Sequence, residues 1–165
     1  MGLALKRIIS GGQTGVDRGA LDAAIALGVP HGGWCPRGRL AEDGLVPARY
    51  RLDETESPDY PQRTERNVLD ADATLILCRG APTGGTELTR QLAAAYGKPH
   101  LVVDLAQPVD PDAIRRWLAE QGISVLNVAG PRESQWPGAA AAARALIAQL
   151  LAAGGAVNRP SAPHR

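Results

Sequence analysis

Residues 6–24 read KRIISGGQTGVDRGALDAA, and this stretch decides the fold. A short β-branched run, Ile8 and Ile9, stops at Ser10, Gly11 and Gly12; then Val16, Ala20, Leu21, Ala24 and Ile25 recur at the spacing that keeps one helix face apolar. Strand, glycine loop and helix are the predicted order. Glycines let a ligand approach main-chain N–H groups, and the helix start that follows adds unpaired N–H groups and a partial positive charge. That is a phosphate site in outline, although a tight strand-to-helix turn asks for glycine as well.

The same arrangement recurs in residues 73–99, ATLILCRGAPTGGTELTRQLAAAYGKP. Ala73 to Cys78 read as a buried strand, Gly80, Gly84 and Gly85 sit in the loop, and a helix starting near Thr86 carries Leu88, Leu92 and Ala95 on one face. Two such loops converge on one crevice if their strands are neighbours in a parallel sheet.

Working outward, 165 residues are of single-domain size, and 44% hydrophobic content fits a globular protein. A net charge of +1 gives none of the basic field that nucleic-acid binders use, so no nucleic-acid partner is expected. The N-terminus MGLALKRIIS is too short in its apolar run for a signal peptide, and Lys6 stands where a myristoylation signal needs Ser or Thr. No window has the apolar length of a membrane span. Cys35 and Cys78 are too few for a zinc motif or a disulfide framework, which points to a reducing cytoplasm.

Further along, Gly28 is a stop for the first helix and Val29 to Trp34 a second short strand. Residues 32–63 are full of Pro, Gly and charge, with a brief strand expected at Tyr50 to Leu52; Trp34, Tyr50 and the closely spaced opposite charges suggest an ordered binding loop. Asp59 and Pro61 start a helix reaching Asp70, on which Arg63 and Asn67 share one face while Arg66 can pair with Asp70. A strand over Pro99 to Leu105, a helix over 111–121, a strand from Ile123 to Val128 and a helix over 138–152 follow. Strands alternating with helices give an α/β class: one Rossmann-like, doubly wound, mainly parallel sheet of five to six strands over residues 1–153, with a flexible tail at 154–165.

The common nucleotide motifs are missing. Gly80 and Gly85 have P-loop spacing, but Thr86 and Glu87 replace the Lys and hydroxyl residue that hold terminal phosphates. Gly11, Gly12 and Gly15 lack the dinucleotide spacing. What remains is a cradle of main-chain N–H groups helped by Ser10, Thr14, Thr83 and Thr86, with Asp17 placed to accept from a ribose hydroxyl or a heterocycle or simply to complement its helix. Trp34 suits stacking on a planar ring, Arg37, Arg39, Arg63 and Arg66 suit anion clamps, and Trp117 has core spacing. Cys35 sits in an exposed-looking turn, whereas Cys78 ends an apolar strand; His31 and His100 stand alone, so no metal ligated by the protein is expected.

Taken together, SGGQTGVDRGALDAA, GGWCPRGRLAEDG, YRLDETES, RTERNV and GGTELT resemble the molybdenum-cofactor carrier family, a circularly permuted YpsA-like relative of the Rossmann-like LOG and DprA proteins, over residues 6–105. The resemblance implies a binding or carrier protein for a phosphorylated heterocycle, molybdenum cofactor or otherwise a nucleotide, with a molybdoenzyme or cofactor-synthesis protein as partner and a homo-oligomeric state. It places the ligand on Gly11, Gly12, Gln13, Thr14, Gly15, Asp17 and Arg18, and on Thr83, Gly84, Gly85 and Thr86; Trp34, Arg37, Gly38, Arg63 and Asn67 wall the pocket. The alternative is an enzyme resembling the LOG phosphoribohydrolases, which split a base from a nucleoside monophosphate. Its candidate acids are Glu65 and Glu87, but Thr89 stands where that family's catalytic glutamate is expected. A likeness of the first loop to the DprA type suggests single-strand DNA, against which the near-neutral charge speaks.

Overall fold

The computed structural model describes residues 5–157. Five strands form one sheet: β1 (Arg7–Ile9), β2 (His31–Gly32), β7 (Ala73–Cys78), β8 (His100–Asp104) and β9 (Val125–Ala129). Their order is β2-β1-β9-β7-β8, and every pairing is parallel. The chain winds from β1 outward to β2 and from β7 outward to β8, and β9 returns to fill the gap between β1 and β7. Ile8 registers with Leu126, and Leu75 with Val128.

All six residues of β7 are buried, as a strand covered on both faces requires. Ile8, Leu75, Leu77, Leu126 and Val128 enter the larger apolar cluster with α1 (Val16–Ala26), α4 (Pro111–Glu120) and α5 (Ala139–Val157). By strand alternation Thr74, Ile76 and Asn127 face the other side, where α2 (Tyr60–Asp70) and α3 (Gly84–Ala95) pack on each other. Small residues bring α1 and α5 close together, and a Cβ on Gly19 would lie 2.2 Å from the Ala140 carbonyl oxygen. Asp110 caps α4 by accepting from the Asp112 N–H at 3.0 Å.

Several expectations are corrected. Ile25 is 41% exposed rather than on the buried face of α1. On α3 the buried residues are Thr86, Thr89 and Ala93, so the helix is rotated from its leucine stripe and presents small side chains inward. The second strand is split at Gly33, whose Cβ would strike the Ser10 carbonyl oxygen at 2.2 Å; β2 ends there and β3 (Trp34–Cys35) pairs instead with β6 (Asp53–Glu54). Tyr50 to Leu52 form no strand because Tyr50 turns inward, fully buried, and its hydroxyl donates to Asp22 Oδ1 at 2.6 Å. Burial and the Asp22 carboxylate push that phenol up to about 12.

Residues 32–63 are ordered around Arg39, one of the arginines read as an anion clamp. Its guanidinium donates to the carbonyls of Val46, Pro47, Tyr50 and Leu52 at 2.8–3.4 Å, which fills its donors with main chain. The short strands β4 (Leu40–Ala41) and β5 (Gly44–Leu45) make an antiparallel hairpin with Glu42 and Asp43 at its turn. Cys35 is buried beside Leu21, Val46 and Tyr50, contrary to its exposed-looking context, and burial pushes its thiol up. The final helix runs to Val157, beyond the expected stop at 152, and the tail expected over 154–165 lies from residue 158 outside the described residues. No helix among the described residues is long and apolar enough to cross a membrane.

Candidate functional site

The carboxyl ends of β1, β9 and β7 point the same way, and their loops surround a cavity of about 310 Å³. Its wall takes Gln13 and Asp17 from the first loop and helix, Gly84, Gly85, Thr86 and Thr89 from the second, and Tyr60, Arg63 and Thr64 from α2. Gly130, Arg132 and Gln135 complete it from the loop after β9. The two glycine-rich stretches therefore border one hollow at the point where the winding of the sheet reverses.

The first loop is packed tightly against its neighbours. A Cβ on Gly11 would fall 1.9 Å from Arg63 Nη1, so the glycine leaves room for that guanidinium to reach Asp17 Oδ2 at 3.2 Å. Gly12 and Gly15 hold positive φ, 77° and 83°; Gly12 packs under Leu52 and Val46, and Gly15 under the Pro131–Glu133 main chain. Three of the four N–H groups that open α1 find carbonyls within the protein: Val16 N–H donates to Pro131 at 3.2 Å, Arg18 N–H to Gln13 at 3.2 Å and Gly19 N–H to Gly15 at 3.0 Å. Thr14 Oγ1 donates to Glu42 and accepts from the Glu133 N–H. Arg18 grips Asp43 with both terminal nitrogens, at 2.5 and 2.8 Å, and gives its Nε to the Gly12 carbonyl. Gly11, Gly12, Thr14, Gly15 and Arg18, expected to touch the ligand, are not in the lining of this cavity, where Gln13 and Asp17 are.

The second loop is different. No Cβ placed on Gly84 or Gly85 would meet another atom within 4 Å, and neither N–H has an acceptor among the described residues. Thr86 and Glu87 N–H groups both donate to the Thr83 carbonyl, so the orphan donors of this helix start are the two glycines facing the cavity. Thr83 itself lines a neighbouring hollow of about 180 Å³ with Arg79 and Trp136, which shares Thr86 and Gln135 with the first.

Two guanidiniums and one carboxylate set the charge of the cavity. Arg63 and Arg132 lie over the Tyr60 ring at 5.2 and 5.6 Å from its centroid. Asp17 is 3% exposed, and burial raises its carboxyl above the ordinary range against the opposing pull of Arg63 and the Gln13 N–H. Ser10 Oγ, Gln13 Nε2 and Arg63 Nε are buried without a hydrogen-bond partner among the described residues. Glu42 joins the first loop to the one after β9, accepting from Thr14 and from Ser134 N and Oγ at 3.2 and 2.5 Å. Desolvation works against its charge, but the Ser134 and Thr14 hydrogen bonds outweigh it and hold its carboxyl below the usual value.

Other expected wall residues lie elsewhere. Trp34 donates its indole N–H to Asp70 at 2.6 Å under the Arg66 guanidinium, which occupies both partners of the expected Arg66–Asp70 pair. Asn67 is spent on Trp34, accepting its N–H at 2.8 Å and donating to its carbonyl at 3.0 Å. Arg37 and Gly38 sit at the far turn of the excursion, where the Gly38 N–H donates to Glu54. Glu87 turns to Arg90 on its own helix, 2.8 Å away, and neither it nor Glu65 lines the cavity; Thr89 does, with its hydroxyl donating to the Gly85 carbonyl. Among the described residues no group of three or more His, Cys, Asp or Glu could hold a metal ion.

Sequence reasoning missed Tyr60, Arg132 and Gln135. The signal was present in AGPRESQWPG, residues 129–138, a Gly- and Pro-rich turn leaving a strand. Only the central place of β9 reveals that this turn enters the crevice.

Known proteins share this fold. A search of the curated proteins finds no match. A crystal structure from Syntrophus aciditrophicus SB, named "putative molybdenum carrier protein", is similar at 46% identity and a TM-score of 0.87, over 92% of this chain and 97% of that one. Residues 8–151 match the circularly permutated YpsA SLOG family, and with that match spanning the parallel sheet and all three of its site loops, the chain belongs to this family.

Proposed function

We propose that this protein is a carrier that holds a phosphorylated heterocycle, molybdenum cofactor first among the candidates and a nucleotide second, in the cavity over the start of α3. One observation carries the reading: the free N–H groups of Gly84 and Gly85 open into the same hollow as Arg63 and Arg132. A helix start with unused donors favours an anion, and two guanidiniums add the charge-assisted bonds that suit phosphate oxygens. The volume is at the lower end of the roughly 300–1,000 Å³ typical of small-molecule sites. The name of the Syntrophus structure supports molybdenum cofactor as the cargo, for which phosphate and pterin are the parts this chain's residues suit. A molybdoenzyme or a cofactor-synthesis protein is the corresponding partner.

Holding is favoured over hydrolysis by Thr89. A threonine hydroxyl does not titrate near neutral pH, and Thr89 lines the cavity at the sequence position where the resemblance to the LOG hydrolases implies an acid, while Glu65 and Glu87 stand outside. Calorimetry with isolated molybdenum cofactor, GMP and inorganic phosphate tests the proposal. Saturable binding weakened about tenfold or more by Arg132→Ala is expected. No binding of any phosphorylated heterocycle at millimolar concentration overturns it.

A further inference from the structure

Besides Gly84 and Gly85, the cavity wall holds a different chemistry at Gln13 and Asp17. The Gln13 amide has a fixed orientation, because its Oε1 accepts from the Thr14 N–H at 3.1 Å and from the Glu42 N–H at 2.9 Å. Its Nε2 must then point away from those donors, and it is a buried donor without a partner on a side chain only 6% exposed. One turn later, Asp17 offers an acceptor. The hydrogen bonds from the Gln13 N–H and Arg63 Nη1 end on Oδ2 at 3.2 Å, and the Ser10 hydroxyl lies beside the same carboxyl.

An unpartnered buried donor in the loop and a buried carboxylate in the first turn of α1 call for a ligand edge that carries an acceptor beside a donor, since an unanswered polar group in such a place is costly. We infer that Gln13 and Asp17 read the lactam edge of the bound ring, its carbonyl received by Gln13 Nε2 and its ring and exocyclic N–H groups by Asp17, so that guanine-like and pterin rings are selected over adenine. Adenine lacks both the carbonyl and the second N–H that converge on a carboxylate. The inference rests on the carrier reading and specifies the ring that accompanies the phosphate.

Calorimetry with GMP, AMP, XMP and inorganic phosphate tests it. The native chain should bind GMP about tenfold or more tighter than AMP, the discrimination expected of one paired polar edge. Asp17→Asn should lose that preference and take XMP instead, because an amide N–H can meet the 2-oxo group that a carboxylate repels; a merely structural Asp17 would not produce this exchange. Gln13→Glu keeps the acceptor that holds Thr14 and Glu42 and replaces the donor by a carboxylate oxygen that repels the ring carbonyl. It should weaken GMP binding by a larger factor than phosphate binding and so reduce the preference for GMP over AMP, and it decides the matter if Asp17→Asn fails to fold. Phosphate binding with no preference for GMP over AMP overturns this inference alone. Absence of both phosphate and nucleotide binding overturns the carrier reading and the inference with it.

Discussion

The two glycine loops share a sequence pattern and have opposite structural roles. Around Gly11, Gly12 and Gly15 an added methyl would meet neighbouring atoms within 3 Å, whereas around Gly80, Gly84 and Gly85 it would meet nothing within 4 Å. The first loop uses glycine so that the protein can pack on itself: Arg63 reaches over Gly11 and the loop after β9 lies over Gly15. The second leaves its donors free. Glycine in a strand-to-helix loop thus marks close approach, and whether protein or ligand does the approaching is settled by the neighbours.

The sharpest way to break this contrast is to add one methyl to each loop. Gly15→Ala puts a Cβ at positive φ, 2.4 Å from the Pro131 carbonyl oxygen, and should cost more than about 3 kcal/mol in urea denaturation. Gly85→Ala should stay within about 1 kcal/mol of the native chain. Equal losses would end the distinction.

Arg63→Met leaves the Asp17 carboxylate buried without its partner. Breaking such a pair costs about 3–5 kcal/mol when it is fully buried, and with Arg63 14% exposed a loss of about 2–3 kcal/mol is expected. The acid itself gives a pH signature. Burial raises its folded-state pKa above the ordinary 3.8, so the folded protein binds that proton more readily than the unfolded chain. Its contribution to stability is greatest below 3.8 and is lost as pH rises through the raised value. Relative to Asp17→Asn, the native chain should lose at most about 1.4 kcal/mol for each pH unit of that window. A flat difference between the two chains over pH 3.5–7 would show that burial leaves this carboxyl untouched.

On the open side, Gly85→Ala should lower inorganic phosphate affinity about tenfold while melting unchanged, because the methyl enters the space through which an anion reaches the main chain. The smallest effect belongs to Glu42→Gln, which weakens the bonds to Thr14 and Ser134 and should cost about 1 kcal/mol. Since those bonds hold the Glu42 carboxyl below its usual value, their stabilisation is present at neutral pH and fades as pH falls through that range.

What the sequence made legible was what local pattern controls. The run Ala73 to Cys78 is wholly buried, with Thr74 its one hydroxyl, answered by Asn127 Nδ2 at 3.3 Å; Gly28 at positive φ closes α1, and Pro61 opens α2. What stayed hidden depends on non-local pairing. Trp34 looks like a ring-stacking residue until Asp70 and Arg66 claim it from a helix more than thirty residues away. Arg39 reads as an anion clamp and Arg18 as a ligand contact until four carbonyls and Asp43 take their donors. Arg132 was invisible because nothing local places β9 in the middle of the sheet.

That central strand also bears on how the molecule comes into being. β1 with β2 and β7 with β8 are two separate ribbons that share no ladder, and residues 125–129, late in the chain, are what joins them. Synthesis must pass Ala129 before the sheet can close, so a nascent chain ending before Val125 exposes the inner edges of both ribbons and depends on rapid elongation or on chaperones to stay soluble.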